Sequence, residues 1–256
     1  MILDDIVARK RLQLAEEASA VPVSVLERKA LDAPPVRDFE AALRKPGLSV
    51  VAEVKKASPS KGLIAPDFRP VETALAYVDG GTDCISVLTE RHFFQGSDEV
   101  LQAVRRNVPC PVLRKDFLLC ERQVIEARAI GADAVLLIAA ILDDATLVRL
   151  LRLAGELGMS ALLEAHTCDE AKRLVQAGGR IIGVNNRNLG TFAVDLAIFG
   201  RVRREIPADC VTVAESGIAG PDDARRLRQD GCDAILVGET LMRSGAPARA
   251  LAALKQ

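Results

Sequence analysis

Gly131-Ala132-Asp133-Ala134-Val135-Leu136-Leu137-Ile138-Ala139 carries the pattern that decides the fold: a glycine turn, an acidic residue, then an unbroken apolar run. An unbroken run suits a strand covered on both faces, as in a parallel sheet, whereas a half-exposed strand alternates. Related turns recur at Gly81-Thr82-Asp83, Gly178-Gly179-Arg180 and Gly231-Cys232-Asp233, each ahead of a similar run. Working outward gives eight candidate strands: Leu48 to Lys55, Asp83 to Thr89, Cys110 to Asp116, Asp133 to Ala139, Met159 to Glu164, Arg180 to Asn185, Cys210 to Glu215 and Asp233 to Gly238. They start about 20 to 35 residues apart, the length of one strand-helix step. Helical stretches fill the gaps, as where Pro70-Val71-Glu72 opens a segment that ends at Gly80-Gly81. Eight such units predict an α/β fold, a closed (β/α)8 TIM barrel. The alternative is an open doubly wound sheet, but no glycine-rich dinucleotide turn follows the first run.

Residues 1–47 fall outside the repeat. Helical patterns at Leu3 to Glu17, Val23 to Leu31 and Asp38 to Leu43 are interrupted by Pro22, Pro34-Pro35 and Pro46-Gly47. Too little chain is left there for an independent core, so this N-terminal helical extension is expected to pack on the barrel, over one of its mouths. The whole of 1–256 reads as a single domain.

The 34 Lys and Arg nearly cancel the 35 Asp and Glu, so no global field draws the chain to nucleic acid or anionic lipid. With no Trp and one Tyr it also lacks base-stacking platforms. No apolar run approaches membrane-spanning length, and the start Met1-Ile2-Leu3-Asp4-Asp5 is unlike a signal peptide, so a cytoplasmic protein is expected. The six cysteines and two histidines form no metal-ligand pattern, and the cysteines read mostly as reduced packing residues.

Barrel enzymes keep their chemistry at the C-terminal ends of the strands, so polar residues at the tail of an apolar run are informative. The first run ends Ala52-Glu53-Val54-Lys55, with Glu53 and Lys55 on one face. The third ends Arg114-Lys115-Asp116, where period two opposes Lys115 to its two neighbours and only one set can point inward. Glu164 and His166 end the fifth, Asn185-Asn186-Arg187 the sixth, Glu215 the seventh, and Gly238-Glu239 the eighth. Each pair alone suits a rim salt bridge; recurrence at one mouth points to acid-base chemistry without a metal. A lysine lowered by burial or by a neighbouring cation, and a carboxylate raised by burial, would exchange the proton near neutral pH.

Glu215-Ser216-Gly217 and Val237-Gly238-Glu239-Thr240 follow the seventh and eighth runs, where barrels recurrently seat phosphate on backbone amides and a short helix. The loop Lys56 to Pro66, rich in Lys, Ser and Gly, reads as a lid over an anionic substrate or as a solvated loop without a role.

These motifs coincide with those of one family. With Glu53-Val54-Lys55-Lys56-Ala57-Ser58-Pro59-Ser60-Lys61-Gly62, Leu113-Arg114-Lys115-Asp116-Phe117, Gly183-Val184-Asn185-Asn186-Arg187-Asn188-Leu189 and Val213-Ala214-Glu215-Ser216-Gly217-Ile218, the chain resembles indole-3-glycerol-phosphate synthase of tryptophan biosynthesis. The resemblance extends from the helical extension to the last helix. It implies a carboxy-lyase, without metal or organic cofactor, that converts 1-(2-carboxyphenylamino)-1-deoxyribulose 5-phosphate into indole-3-glycerol phosphate, carbon dioxide and water. Carried onto this sequence, Lys115 is the acid of ring closure, Glu164 its partner carboxylate, and Lys55 an anion-binding lysine that assists dehydration. Glu53, Asn185 and Glu215 orient substrate and tune the lysines, and how the lysines and Glu164 divide the steps stays open because coupled groups titrate together. Ser58, Ser216, Gly217, Val237, Gly238 and Glu239 would hold phosphate, with the Glu239 side chain turned away. Phe94, Phe117, Leu136 and Leu189 would enclose the aryl ring, and Arg187 belongs to the same set.

The partner implied is a phosphorylated small molecule, with neither nucleic acid nor membrane. Monomer or homodimer, and contact with other enzymes of the pathway, are left open. The rival readings are another phosphosugar barrel enzyme, such as the pathway's preceding isomerase with its Cys and Asp pair, and a catalytically silent phosphate-binding barrel. The first would not end its first strand in Glu and Lys, and the second would lack at least one of the charges.

Overall fold

Each apolar run becomes a strand within two residues of its expected bounds. The computed structural model describes residues 2–188 and 190–256. Among them, eight strands close a barrel: β1 (Ser49–Val54), β2 (Cys84–Leu88), β3 (Val112–Lys115), β4 (Ala134–Ile138), β5 (Ser160–Ala165), β6 (Ile181–Asn185), β7 (Val211–Glu215) and β8 (Ala234–Val237). Every pairing is parallel between sequence neighbours, and β8 closes on β1 with Val50 opposite Ile235.

The unbroken apolar runs are explained by two separate cores. Val51, Leu113, Leu136, Leu162, Val213 and Leu236 fill the barrel interior, while Val50, Ile85, Val135, Leu137, Leu163 and Ile235 face the surrounding helices. The helices are α1 (Ile2–Ala20), α2 (Val23–Asp32), α3 (Phe39–Leu43), α4 (Pro70–Asp79), α5 (Asp98–Asn107), α6 (Glu121–Ala129), α7 (Asp144–Glu156), α8 (Cys168–Gln176), α9 (Ala197–Arg203), α10 (Pro221–Gln229), α11 (Glu239–Met242) and α12 (Pro247–Leu254). Phe39, Ala42 and Leu43 of α3 pack into the interior core, and Asp38 caps that helix by accepting from Ala41 N at 2.8 Å.

The repeated glycine turn has a stitching function. Gly81, Gly131 and Gly231 adopt φ of 84°, 89° and 83°, which a side chain disfavours, and so turn the chain from helix into strand. The aspartate two residues on then accepts a backbone N–H from the neighbouring strand: Asp83 from Val50 at 2.9 Å, Asp133 from Val112 at 2.8 Å and Asp233 from Thr212 at 2.7 Å. Arg105 and Lys255 neutralise Asp133 and Asp83 at 2.9 Å and 2.7 Å.

The N-terminal extension lies on the barrel. Leu26 and Ala30 of α2 pack against Ile125 of α6, and Arg122 donates to Val21 O and Glu17 O at 2.8 and 3.0 Å. α1 reaches over the C-terminal mouth, where Ile2, Leu3 and Ile6 line the central cavity. Its Lys10 is buried and pairs with Asp116 at 2.8 Å, a contact absent from the sequence reading. All six cysteines are free thiols. Among the described residues, no helix is long and apolar enough to cross a membrane.

Candidate active site

The C-terminal mouth opens into a cavity of about 590 Å³. Glu53, Lys55, Lys115, Glu164, Asn185 and Glu215 all line it, each within one residue of the C-terminal end of a strand. Strand alternation sends Lys115 inward, which resolves the choice left by its charged neighbours. Arg114 points outward to Asp98 and Glu126 at 3.1 and 2.8 Å and donates to Gln123 O at 3.1 Å. Asp116 turns to Lys10 and accepts from Thr89 Oγ1 at 2.8 Å.

Lys115 Nζ sits between two carboxylates, 3.2 Å from Glu164 Oε2 and 3.1 Å from Glu215 Oε2. Asn185 Nδ2 donates to the other Glu164 oxygen at 3.1 Å, while its Oδ1 accepts from Arg187 N at 3.0 Å. Lys55 Nζ pairs with Glu53 Oε1 at 2.5 Å. A Cβ on Gly238 would collide with that Glu53 oxygen and lie 3.1 Å from Lys55 Nζ, so glycine there leaves room for the pair.

The electrostatics correct one expectation. Burial works against the Lys115 ammonium, but Glu164, Glu215 and Glu53 outweigh it, so the lysine is raised above its ordinary value and not lowered. The burial-raised carboxylate is present as expected. Removal from water pushes Glu215 up to about 7 despite Lys115, with Glu164 adding repulsion, and Glu215 Oε1 has no hydrogen-bond partner among the described residues. Glu164 is equally buried, but Lys115, His166 and Asn185 hold it down at about 2. Two carboxylates flank one lysine, and their environments drive their proton affinities apart.

Ser58, Ser216, Gly217, Val237, Gly238 and Glu239 line the cavity along with Lys55. Ser216 takes φ of 67°, uncommon for a residue with a side chain, and Gly217 follows at 82°. Glu239, expected to turn away, carries its carboxylate to Lys61 Nζ and Arg243 Nε, both at 3.3 Å. Two cations therefore offset it. The Lys56 to Pro66 loop holds a short antiparallel pairing of Ala57–Ser58 with Gly62–Leu63 and contributes Ser58 through Lys61 to the cavity wall. Phe94, Phe117, Leu136 and Arg187 also line the cavity, the two aromatic rings 6.0 Å apart. Leu189, assigned to the same set, lies outside the described residues.

Lys10 escaped the sequence reading, and His166 was visible in it only as the end of the fifth run. Lys10 falls four residues after buried Ile6 and three before buried Gln13, a helical stripe that would have revealed it. His166 follows Glu164 by two, on the same side of the strand. Among the described residues, no group of three or more His, Cys, Asp or Glu is placed to hold a metal ion.

A family model described as "Indole-3-glycerol phosphate synthase" matches residues 3–254. The chain belongs to the indole-3-glycerol phosphate synthase family. An indole-3-glycerol phosphate synthase from Nocardioides sp. is 50% identical over 96% of this chain and 95% of its own length. Another, from Mycobacterium ulcerans, is 47% identical over 99% of this chain and 93% of its own. The chain is accordingly a carboxy-lyase of tryptophan biosynthesis that acts on a phosphorylated small molecule. Among solved structures, 3-hexulose-6-phosphate synthase aligns with a TM-score of 0.63 at 17% identity, covering 81% of this chain and 98% of that one. Thiamine phosphate pyrophosphorylase from Pyrococcus furiosus gives 0.61 at 17%, covering 81% and 93%. At such identity the likeness speaks for the barrel alone.

Proposed function

We propose that this mouth closes, decarboxylates and dehydrates 1-(2-carboxyphenylamino)-1-deoxyribulose 5-phosphate to indole-3-glycerol phosphate, with Lys115 as the acid of ring closure. The observation that carries this reading is the Lys115 ammonium held between Glu164 and Glu215 at 3.2 and 3.1 Å. As the ring carbon bearing the carboxylate attacks the ketone, negative charge grows on the ketone oxygen. A lysine already charged and buried stabilises that oxygen and then gives it a proton. Loss of carbon dioxide restores the aromatic ring. The new hydroxyl then leaves as water, assisted by Lys55, while a carboxylate removes the C–H proton beside the nitrogen. Glu164, 3.2 Å from Lys115, is the partner carboxylate that exchanges protons with it between steps.

Glu53, Asn185 and Glu215 orient substrate and set the charge on the lysines. The phosphate lies against Ser216, Gly217, Val237 and Gly238, where backbone amides and the Lys55 and Ser58 side chains converge. Phe94, Phe117 and Leu136 enclose the aryl ring, beside Arg187. The same reading makes 1–256 one cytoplasmic domain with 1–47 as its helical extension.

The test mixes purified protein with the carboxyphenylamino sugar phosphate in chelating buffer and follows indole fluorescence. Wild type is expected to turn over, and Lys115→Ala to lose several orders of magnitude, about 4 kcal/mol or more of transition-state stabilisation. No turnover by wild type rejects the reaction. Equal rates keep the reaction and reject Lys115 as its acid.

A further inference from the structure

His166 lies just past β5, with its ring between two carboxylates. Nε2 is 3.4 Å from Glu164 Oε1, and Nδ1 is 3.6 Å from Glu170 Oε2 in the first turn of α8. Neither ring nitrogen has a hydrogen-bond partner among the described residues, so both are free to engage these oxygens. Glu170 is fixed in place by accepting the His166 backbone N–H at 2.6 Å. Glu164 lines the reaction cavity, whereas His166 and Glu170 are not part of its wall. Glu170 instead lines a second cavity, between α1 and the start of α7. Side-chain exposure falls from 19% at Glu170 to 15% at His166 and 3% at Glu164. The three groups run from a solvent-facing hollow to the buried carboxylate behind the substrate.

The proposed reaction, on which this inference rests, gives the series a purpose. Closure puts one proton on the ketone oxygen, and departure of the hydroxyl as water needs a second. The C–H bond beside nitrogen returns one, which resets the Lys55 that gave up the second, and carbon dioxide leaves an ionised carboxylate without any. Each turnover therefore consumes one proton from solvent while substrate fills the main cavity.

We infer that His166 is a positioning residue that holds Glu164 toward Lys115 and supplies it with protons from the Glu170 side. The imidazolium N–H at Nε2 breaks as an O–H forms on Glu164 Oε1. The carboxyl then turns its O–H toward Lys115, that bond breaks as an N–H forms on the amine left by closure, and the neutral ring recovers its proton from solvent hydronium. The groups facing the ring are Glu164 on its own strand, Glu170 from α8 and Glu215 from β7, with Lys115 of β3 and Asn185 of β6 on the far side of Glu164. Burial opposes the imidazolium, but Glu170 and Glu164 outweigh it and hold the ring above the ordinary histidine value. Lys115 keeps Glu164 ionised at rest, so the proton moves inward only after the lysine has discharged.

The test compares His166→Ala, His166→Asn and Glu170→Gln with wild type in kcat, KM and pH profile, with and without added imidazole. His166→Ala and His166→Asn are both expected to lose roughly tenfold or more in kcat with little change in KM, and imidazole to restore much of the loss in His166→Ala. Glu170→Gln is expected to move the alkaline fall of kcat to lower pH. Full activity in His166→Asn, or loss in His166→Ala that imidazole leaves untouched, overturns the proposal. An arm independent of turnover follows the two histidines by NMR: the His166 ring is expected to titrate at lower pH in both Glu164→Gln and Glu170→Gln. An unmoved titration overturns the coupling even if wild type proves inactive, whereas inactivity of wild type alone bears on the reaction.

Discussion

Lys10 Nζ lies 2.8 Å from Asp116 Oδ1 with both side chains buried, which ties the first helix to the residue beside Lys115. Asp116 is also held by Thr89 and faces Arg114 at 3.6 Å. Burial alone would raise this carboxyl, but Lys10 and Arg114 outweigh it and hold it below the usual carboxylate range. The pair thus fixes the backbone from which Lys115 projects and clamps α1 over the mouth. Lys10→Met leaves a buried carboxylate short of a partner and is expected to cost about 3 kcal/mol in urea unfolding. Activity should fall through both kcat and KM, because Ile2, Leu3 and Ile6 line the cavity. A variant as stable and active as wild type would remove Lys10 from the site.

Gly238 gives a second expectation. The added methyl of Gly238→Ala meets the Glu53 carboxylate and comes within 3.1 Å of Lys55 Nζ, so the ion pair must shift. In the proposed function the same turn offers its amides to phosphate. A rise of roughly tenfold in KM is expected, about 1.4 kcal/mol, with thermal stability lowered far less than by a core cavity. Steady-state kinetics beside thermal unfolding separate the two effects, and unchanged KM would show that the turn tolerates a side chain.

Much of this was legible in the sequence, for stated reasons. The barrel was readable because its strands are buried on both faces, so Val135-Leu136-Leu137-Ile138 leaves a continuous signal. The convergence of Glu53, Lys55, Lys115, Glu164, Asn185 and Glu215 on one mouth was readable because polar tails on apolar strands recur at one end. Lys10 was hidden in Ala8-Arg9-Lys10-Arg11, where three successive cations look like a solvated face until the Ile6, Lys10, Gln13 stripe is noticed. The direction of the Lys115 shift was not legible at all. It depends on Glu164 and Glu215 lying within hydrogen-bonding reach, and these come from β5 and β7, far along the chain.

Glu215 yields a pH prediction whose sign follows from linkage. Its carboxyl is raised from 4.5 to about 7 in the fold, chiefly by burial, so the folded state holds that proton more tightly than the unfolded chain. The stability this contributes is whole below the ordinary glutamate value and is lost as pH rises through 7. Glu215→Gln keeps a neutral side chain at every pH. The variant is therefore expected to gain on wild type in unfolding free energy between pH 4.5 and pH 8, measured by urea titration at both. A difference that stays flat or runs the other way would mean that Glu215 is ionised throughout.

Glu239 places a negative charge at the turn that should seat a phosphate, and only its pairing with Lys61 and Arg243 at 3.3 Å makes this tolerable. The carboxylate has two opposed effects: it repels the ligand, and it holds Lys61 of the β1 loop against the α11 turn. Both pairs are partly exposed, so each is worth less than about 1 kcal/mol and is screened by salt. Glu239→Gln removes the repulsion and leaves Lys61 free to meet the phosphate. Inorganic phosphate is expected to bind a few-fold more tightly at low salt, with the gain fading as ionic strength rises. Calorimetric titration at two salt concentrations checks this. Weaker binding would mean that holding Lys61 in position matters more than the repulsion, and Glu239 would then count as part of the phosphate seat.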